Sequence, residues 1–187
     1  MKNGIREQME TYQEVNAITG SAASVIFGTG RFLELPVAEL VQDFGLNISV
    51  CNRSVEGAVI ADAFELLDAC VFALHPRKLF LNFGETDMRR ADFDCRTFIA
   101  DYARLIGRIR EESSCRVYVV SVLDGDARAE QVNAALRELA REKDCMYVDA
   151  AGAFRCEKPR LKLFSELAHY MREGRISFAE AMGACIR

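Results

Sequence analysis

Short apolar runs and longer amphipathic stretches alternate along this chain. Ala23 to Phe27 is apolar, rich in residues that favour strands, and closed by Gly28, as expected of a strand buried on both faces. Runs of the same kind recur at Leu46 to Cys51, Leu79 to Phe83, Val117 to Val122 and Met146 to Val148, which predicts five strands. Between them the apolar residues fall at helical spacing. Ala58, Ala61, Phe64, Leu67 and Val71 form one such stripe, and Phe98, Tyr102, Leu105, Ile106 and Ile109 a second. Val132, Ala135, Leu136, Leu139 and Ala140 form a third. A helix over roughly Ile5 to Asn16 is expected before the first strand, and a last helix near Ile176 to Ile186.

Strands that alternate with helices, with no hairpin dipeptides between them, predict βαβ units and a parallel sheet covered on both faces. Sheets of this type bind ligands beyond the carboxyl ends of their strands. Three polar segments fall there: Gly28-Thr29-Gly30, Asn52-Arg53-Ser54-Val55-Glu56-Gly57 and Gly84-Glu85-Thr86-Asp87.

Composition narrows the picture. A chain of 187 residues, half hydrophobic and 28% charged, suits one soluble globular domain over 1–187. A net charge of −4 without a basic stripe argues against a nucleic-acid partner. The polar start, Met1 to Glu10, lacks the apolar core of a signal peptide, and no membrane-length apolar run occurs. The 7 cysteines include no CxxC pair and sit mostly in apolar contexts, which suggests reduced thiols in a cytoplasmic protein. There is no internal repeat or low-complexity linker.

The strand-end segments, with Glu166-Leu167-Ala168-His169 far downstream, resemble those of the SGNH (GDSL-type) ester hydrolases. Gly28-Thr29-Gly30 stands where that family has its GDS-type turn, which puts Gly30 in the place of the nucleophilic serine and Thr29 in that of the aspartate. Asn52 to Gly57 resembles NRGISG, with Ser54 for the oxyanion-hole glycine, and Gly84 to Asp87 resembles GxND, with Thr86 for the asparagine. Asn133 and Val148-Asp149 resemble further landmarks. Glu166 and His169 resemble the DGLH-type segment, and Gly174-Arg175 the helix start that follows it.

The resemblance implies a three-layer α/β/α, flavodoxin-like fold and the hydrolysis of a carboxylic or acyl ester, with no cofactor and no metal. It also implies a degenerate catalytic set. A serine esterase needs a hydroxyl next to a base, and Gly30 has no side chain, so no acyl-enzyme forms there. Thr86 offers one hydroxyl donor where asparagine offers a longer amide, while Ser54 keeps the backbone N–H of the glycine it replaces. His169 with Glu166 is then a candidate base and orienting carboxylate. The four positions Gly30, Ser54, Thr86 and His169 are expected to converge on one cleft, with Thr29, Asn52 and Asp87 lining it. Two functions follow: an impaired ester hydrolase, or a non-catalytic relative that binds a small molecule or a protein in the same cleft.

Other residues have plainer readings beside their functional ones. His75, in Leu74-His75-Pro76, suits a helix end. Gly28 and Gly30 do not make a dinucleotide fingerprint, because Leu33 occupies the third glycine's place. Ser54 or Thr29 as a displaced nucleophile competes with simple capping or turn roles. Asp87, Asp92 and Asp94 read as helix-start charges rather than metal ligands. Phe32, Leu33 and Leu35 are core candidates before they are an acyl pocket.

Overall fold

The computed structural model describes residues 3–153, 155 and 157–172. The helix expected over Ile176 to Ile186, and Gly174-Arg175, lie outside the described residues. The chain opens with α1 (Asn3–Thr19), followed by β1 (Ser24–Gly28), a 3-10 helix (Gly30–Glu34), α2 (Val37–Asp43) and β2 (Val50–Asn52). Next come α3 (Ala63–Cys70), a 3-10 turn (Phe72–Leu74), β3 (Lys78–Asn82), α4 (Glu85–Met88), α5 (Cys95–Glu112) and β4 (Arg116–Val120). The remaining described elements are α6 (Ala127–Glu142), β5 (Met146–Val148), α7 (Ala150–Ala153) and α8 (Pro159–Met171).

The five strands form one all-parallel sheet in the order β2-β1-β3-β4-β5, so the expected three-layer α/β/α arrangement is the one observed. Alternation along each strand divides the core in two. Val25, Phe27, Leu79, Leu81, Val117 and Val119 face α1, α3, α5 and α6. Ile26, Phe80, Tyr118, Val120 and Val148 face α2, α7 and α8. Both faces are covered, which is why the strands read as continuous apolar runs in the sequence.

Two elements differ from expectation. The second strand is only Val50–Asn52; Leu46, read as its start, is buried beneath α2 without joining the ladder. The apolar run is thus real, but its first half packs as loop. The helix expected from Ala58 begins at Ala63, because residues 56–57 and 60–62 form turns, with Asp62 accepting the Val59 N–H at 3.1 Å. Ala58, Val59 and Ile60 are buried all the same.

α1 is bound closely to the loop after β2. Gln8 Oε1 accepts the Glu56 N–H at 3.0 Å, and the Tyr12 hydroxyl donates to the Ser54 carbonyl at 2.7 Å. Asn16 Oδ1 accepts from Arg53 Nε at 3.1 Å and Nη2 at 3.0 Å, while its Nδ2 donates to the Ala69 carbonyl. Residues 8, 12 and 16 share one helical stripe, so a single face of α1 holds this loop against the sheet.

Candidate functional site

The carboxyl ends of β1, β2 and β3 surround a cleft of ≈ 430 Å³. The segment after β1 contributes Gly30, Arg31 and Glu34, and the loop after β2 contributes Glu56 and Gly57. Glu85, Thr86 and Arg89, after β3, close the third side. The three polar strand-end segments therefore meet, as their positions in the βαβ pattern require.

Close backbone approach sets up this junction. Gly28 pairs with Asn82 across the ladder, and a Cβ on Gly28 would stand 2.1 Å from the Asn82 carbonyl oxygen, so only glycine fits. The Thr29 N–H donates to that same carbonyl at 3.0 Å. Thr29 is fully buried and its Oγ1 lies 2.9 Å from Thr86 Oγ1, a hydroxyl pair that ties the first segment to the third. Thr29 therefore sits beneath the cleft rather than in its wall.

Gly30 adopts φ +64°, a conformation that disfavours any side chain, and begins the 3-10 helix. The space above it is taken. A Cβ on Gly30 would lie 2.1 Å from Glu85 Oε2 and 2.6 Å from its Cδ, so the Glu85 carboxylate fills the place where a serine side chain would extend. Glu85 is buried and held from two sides. Its Oε2 accepts the Arg31 N–H at 3.0 Å, and its Oε1 accepts from Arg89 Nη2 at 2.7 Å. Each bond is charge-assisted, which fixes the carboxylate in place.

Ser54 and Asn52 are engaged elsewhere. The Ser54 N–H donates to Asn52 Oδ1 at 3.1 Å and so is not free to bind an oxyanion, while its buried Oγ has no partner. Asn52 Nδ2 donates to the Phe32 carbonyl at 2.7 Å, so this side chain links the loop after β2 to the 3-10 helix. Asp87, within α4, lines a separate ≈ 220 Å³ pocket with Arg90, Phe93 and Phe98. Its Oδ1 accepts the Ile60 N–H at 2.9 Å and its Oδ2 has no partner. Burial pushes the Asp87 carboxyl up to about 6, partly offset by the Ile60 N–H and by Arg90.

The acidic residues after β3 do not gather. Asp92 pairs with Arg90, and Asp94 caps α5 by accepting the Thr97 N–H at 2.8 Å. Among the described residues, no group of three or more acidic, histidine or cysteine side chains is placed to hold a metal ion.

His169 lies at the other end of the sheet. The carbonyls of Tyr170, Met171 and Arg172, which follow it at the end of α8, accept from Lys78 Nζ at 2.7, 3.1 and 2.7 Å. Lys78 is the first residue of β3, whereas the cleft lies beyond its last residue, Asn82. At about 3.3 Å per residue the strand alone separates the two ends by roughly 13 Å. The expected convergence of His169 with Gly30 is therefore not met.

Glu166 does not orient His169 either. Its Oε1 pairs with Lys162 Nζ at 2.6 Å, and the buried His169 Nδ1 has no hydrogen-bond partner. The His169 ring packs edge-on against Tyr170, with centroids 5.1 Å apart. A match of four letters placed this segment in the site. Yet α8 runs antiparallel to the strands, so a residue near its C-terminus is carried away from their carboxyl ends. His75 is exposed, at φ +46°, just before β3 and so also at the amino end. The chain's 2 histidines thus both lie outside the cleft.

Glu85 is the site residue that sequence reasoning passed over. Its signal was reciprocal: a side chain is missing at Gly30, and a carboxylate stands beside Thr86 in a segment expected to face it. Arg89, four residues on, completes an i,i+4 pair on α4.

No protein-family model matches the chain, and no curated protein matches it. Solved structures do. A Streptococcus pneumoniae protein provisionally named a platelet activating factor is 17% identical, with a TM-score of 0.77 over 90% of this chain and 93% of that one. An acetylxylan esterase from Geobacillus stearothermophilus is 15% identical, with a TM-score of 0.66 over 84% of this chain and 98% of that one. A GDSL-like lipase from Bacteroides thetaiotaomicron is 17% identical, with a TM-score of 0.64 over 76% and 77%. The fold is that of the SGNH (GDSL-type) hydrolases. At these identities the likeness is one of fold.

Proposed function

We propose that this protein is a non-catalytic SGNH-fold relative that binds a small polar molecule in the cleft at the strand ends. The observation that carries this reading is the Glu85 carboxylate over Gly30, fixed by the Arg31 N–H and Arg89. A serine-type acyl transfer needs a nucleophile, a base within reach and donors aimed at the developing oxyanion. Here the nucleophile's place holds an anion, which opposes the build-up of negative charge. Neither histidine borders the cleft, and the Ser54 N–H is already bonded. The cleft itself is open, and beside Leu33 its walls carry the charged groups Arg31, Glu34, Glu56, Glu85 and Arg89, which favours a polar small molecule over a long acyl chain. With the net charge of −4, the same cleft is a poor place for nucleic acid.

The fold neighbours support a second reading, ester hydrolysis, since those with assigned activities include an esterase and a lipase. In that case water, not a side chain, would attack, with Glu85 the carboxylate nearest the vacated position. One assay separates the two. Purified protein is incubated with short-chain nitrophenyl esters beside its Glu85→Gln variant. The binding reading expects both to match the buffer rate. Turnover by the parent that is lost in Glu85→Gln would replace it with the hydrolytic one.

A further inference from the structure

We infer that the place above Gly30 is an anion-binding subsite which the chain occupies with its own Glu85, and that it accepts a small carboxylate when Glu85 is removed. The inference rests on reading the strand-end cleft as a ligand site and names the chemistry of its floor. Two donors from different segments converge there. The Arg31 N–H reaches Glu85 Oε2 at 3.0 Å, and Arg89 Nη2 reaches Oε1 at 2.7 Å. A backbone N–H and a guanidinium aimed at the two oxygens of one carboxylate form the donor set that planar anions require.

The geometry makes this a subsite rather than a chance ion pair. Glu85 is 5% exposed although it borders an open cleft, so its carboxylate is sunk into the floor. Gly30 provides the room, since a Cβ at that position would stand 2.1 Å from Oε2. Arg31 turns its guanidinium away to Asp124, at 3.3 Å, and so serves the anion through its backbone alone. Arg89 has Glu85 as its ion-pair partner among the described residues, and its side chain, 68% exposed, borders the cleft. Taking the carboxylate away leaves a guanidinium and an N–H facing an empty volume of carboxylate size.

A tethered anion competes with a free one at an effective concentration that is commonly millimolar or higher. The parent protein therefore presents this subsite already filled, and a free carboxylate meets it only when Glu85 is displaced. The cleft keeps its other wall, from Glu34 to Gly57, for the remainder of a ligand.

The test uses the full chain, with acetate as the probe and acetamide as its neutral isostere. The Arg31 amide resonance and the thermal midpoint are followed through titrations of the parent, Glu85→Ala and Glu85→Ala/Arg89→Ala. Glu85→Ala is expected to bind acetate at least tenfold more tightly than the parent, with the Arg31 amide shifting saturably. Acetamide should produce no such shift, and the added Arg89→Ala should abolish the gain. A folded Glu85→Ala that titrates no more steeply than the parent overturns the subsite, as does an equal response to acetamide. Should Glu85→Ala not fold in chloride, acetate at equal ionic strength is expected to restore folding by binding the native state; failure to restore it overturns the proposal. These outcomes are independent of ester turnover by the parent, so this inference and the proposed function can fail separately.

Discussion

The Oε2 atom of Glu85 lies 2.1 Å from where a Cβ on Gly30 would stand, so the two positions share one side chain between them. In a serine hydrolase of this fold the side chain would come from the first segment. Here it comes from the third.

Restoring a serine at position 30 is therefore expected to cost stability without creating an esterase. Gly30→Ser meets both the Glu85 carboxylate and a φ of +64°. The backbone conformation alone costs about 1–2 kcal/mol, and the overlap adds about 1–3 kcal/mol. In a Glu85→Ala background the overlap with the carboxylate disappears, leaving the conformational cost and a 3.1 Å approach to the Cβ at position 85, so the cost of Gly30→Ser should fall. Denaturant unfolding of the two single variants and the double variant measures the difference. Equal costs of Gly30→Ser in both backgrounds would show that the two positions do not compete.

His169→Ala is expected to leave any ester turnover unchanged. The residue sits beside the carbonyls bound by Lys78 at the amino end of β3, away from the cleft. Its Nδ1 has no hydrogen bond to lose, so the loss of stability should be about 1 kcal/mol or less. Parallel rate and melting measurements on parent and variant check both statements, and a large fall in rate would place His169 back in the site.

The contact between α1 and the loop after β2 predicts a graded series. Asn16→Ala strips the buried Arg53 guanidinium of the acceptor for two of its N–H groups and leaves the Ala69 carbonyl without its donor. That should cost about 2–3 kcal/mol, whereas Tyr12→Phe, which removes one hydrogen bond to the Ser54 carbonyl, should cost about 1 kcal/mol. Gln8→Ala removes the acceptor of the Glu56 N–H and a long, exposed bond to the Gly4 carbonyl, so its effect should appear as faster exchange of the Glu56 amide rather than in global stability. Amide hydrogen exchange across residues 52–57 distinguishes the three.

Asp87 predicts a dependence on pH that runs against ordinary acid denaturation. Its folded-state carboxyl is raised from 3.8 to about 6, chiefly by burial, so the native state binds this proton more tightly than the unfolded chain does. The group's contribution is then most favourable below the unfolded value. It declines as the pH rises from about 4 to about 6 and is constant above that, a total change on the order of 3 kcal/mol. Asp87→Asn keeps an oxygen for the Ile60 N–H and cannot ionise. Unfolding free energies from pH 4 to 8 should move in favour of the variant as the pH rises to about 6, then run parallel. A difference that stays constant over the whole range would contradict the burial of an ionised Asp87.

Much of the fold was legible from local pattern, because strands buried on both faces must be apolar throughout and their covering helices must carry one apolar stripe. Val25 to Phe27 and Leu79 to Leu81 follow the first rule, and Phe98, Tyr102, Leu105, Ile106 and Ile109 the second. The second strand was misread in part because Leu46 is buried although it lies outside the ladder, and burial is what hydrophobicity records. Ladder pairing depends on partners elsewhere in the chain, which a run of letters does not reveal.

The candidate site divides in the same way. Gly30 and Thr86 could be placed from sequence because each follows a strand directly, and a parallel sheet brings its strand ends together. Glu166 and His169 could not, because their position depends on how far α8 runs back along the sheet before they occur. By itself the sequence determined the layered parallel sheet and the three segments at its carboxyl edge, both consequences of local periodicity and residue identity. Only the tertiary structure decided what stands over Gly30. The Glu85 carboxylate over Gly30 is a contact between residues 55 positions apart, fixed by a backbone N–H and a guanidinium whose directions exist only once the chain is folded.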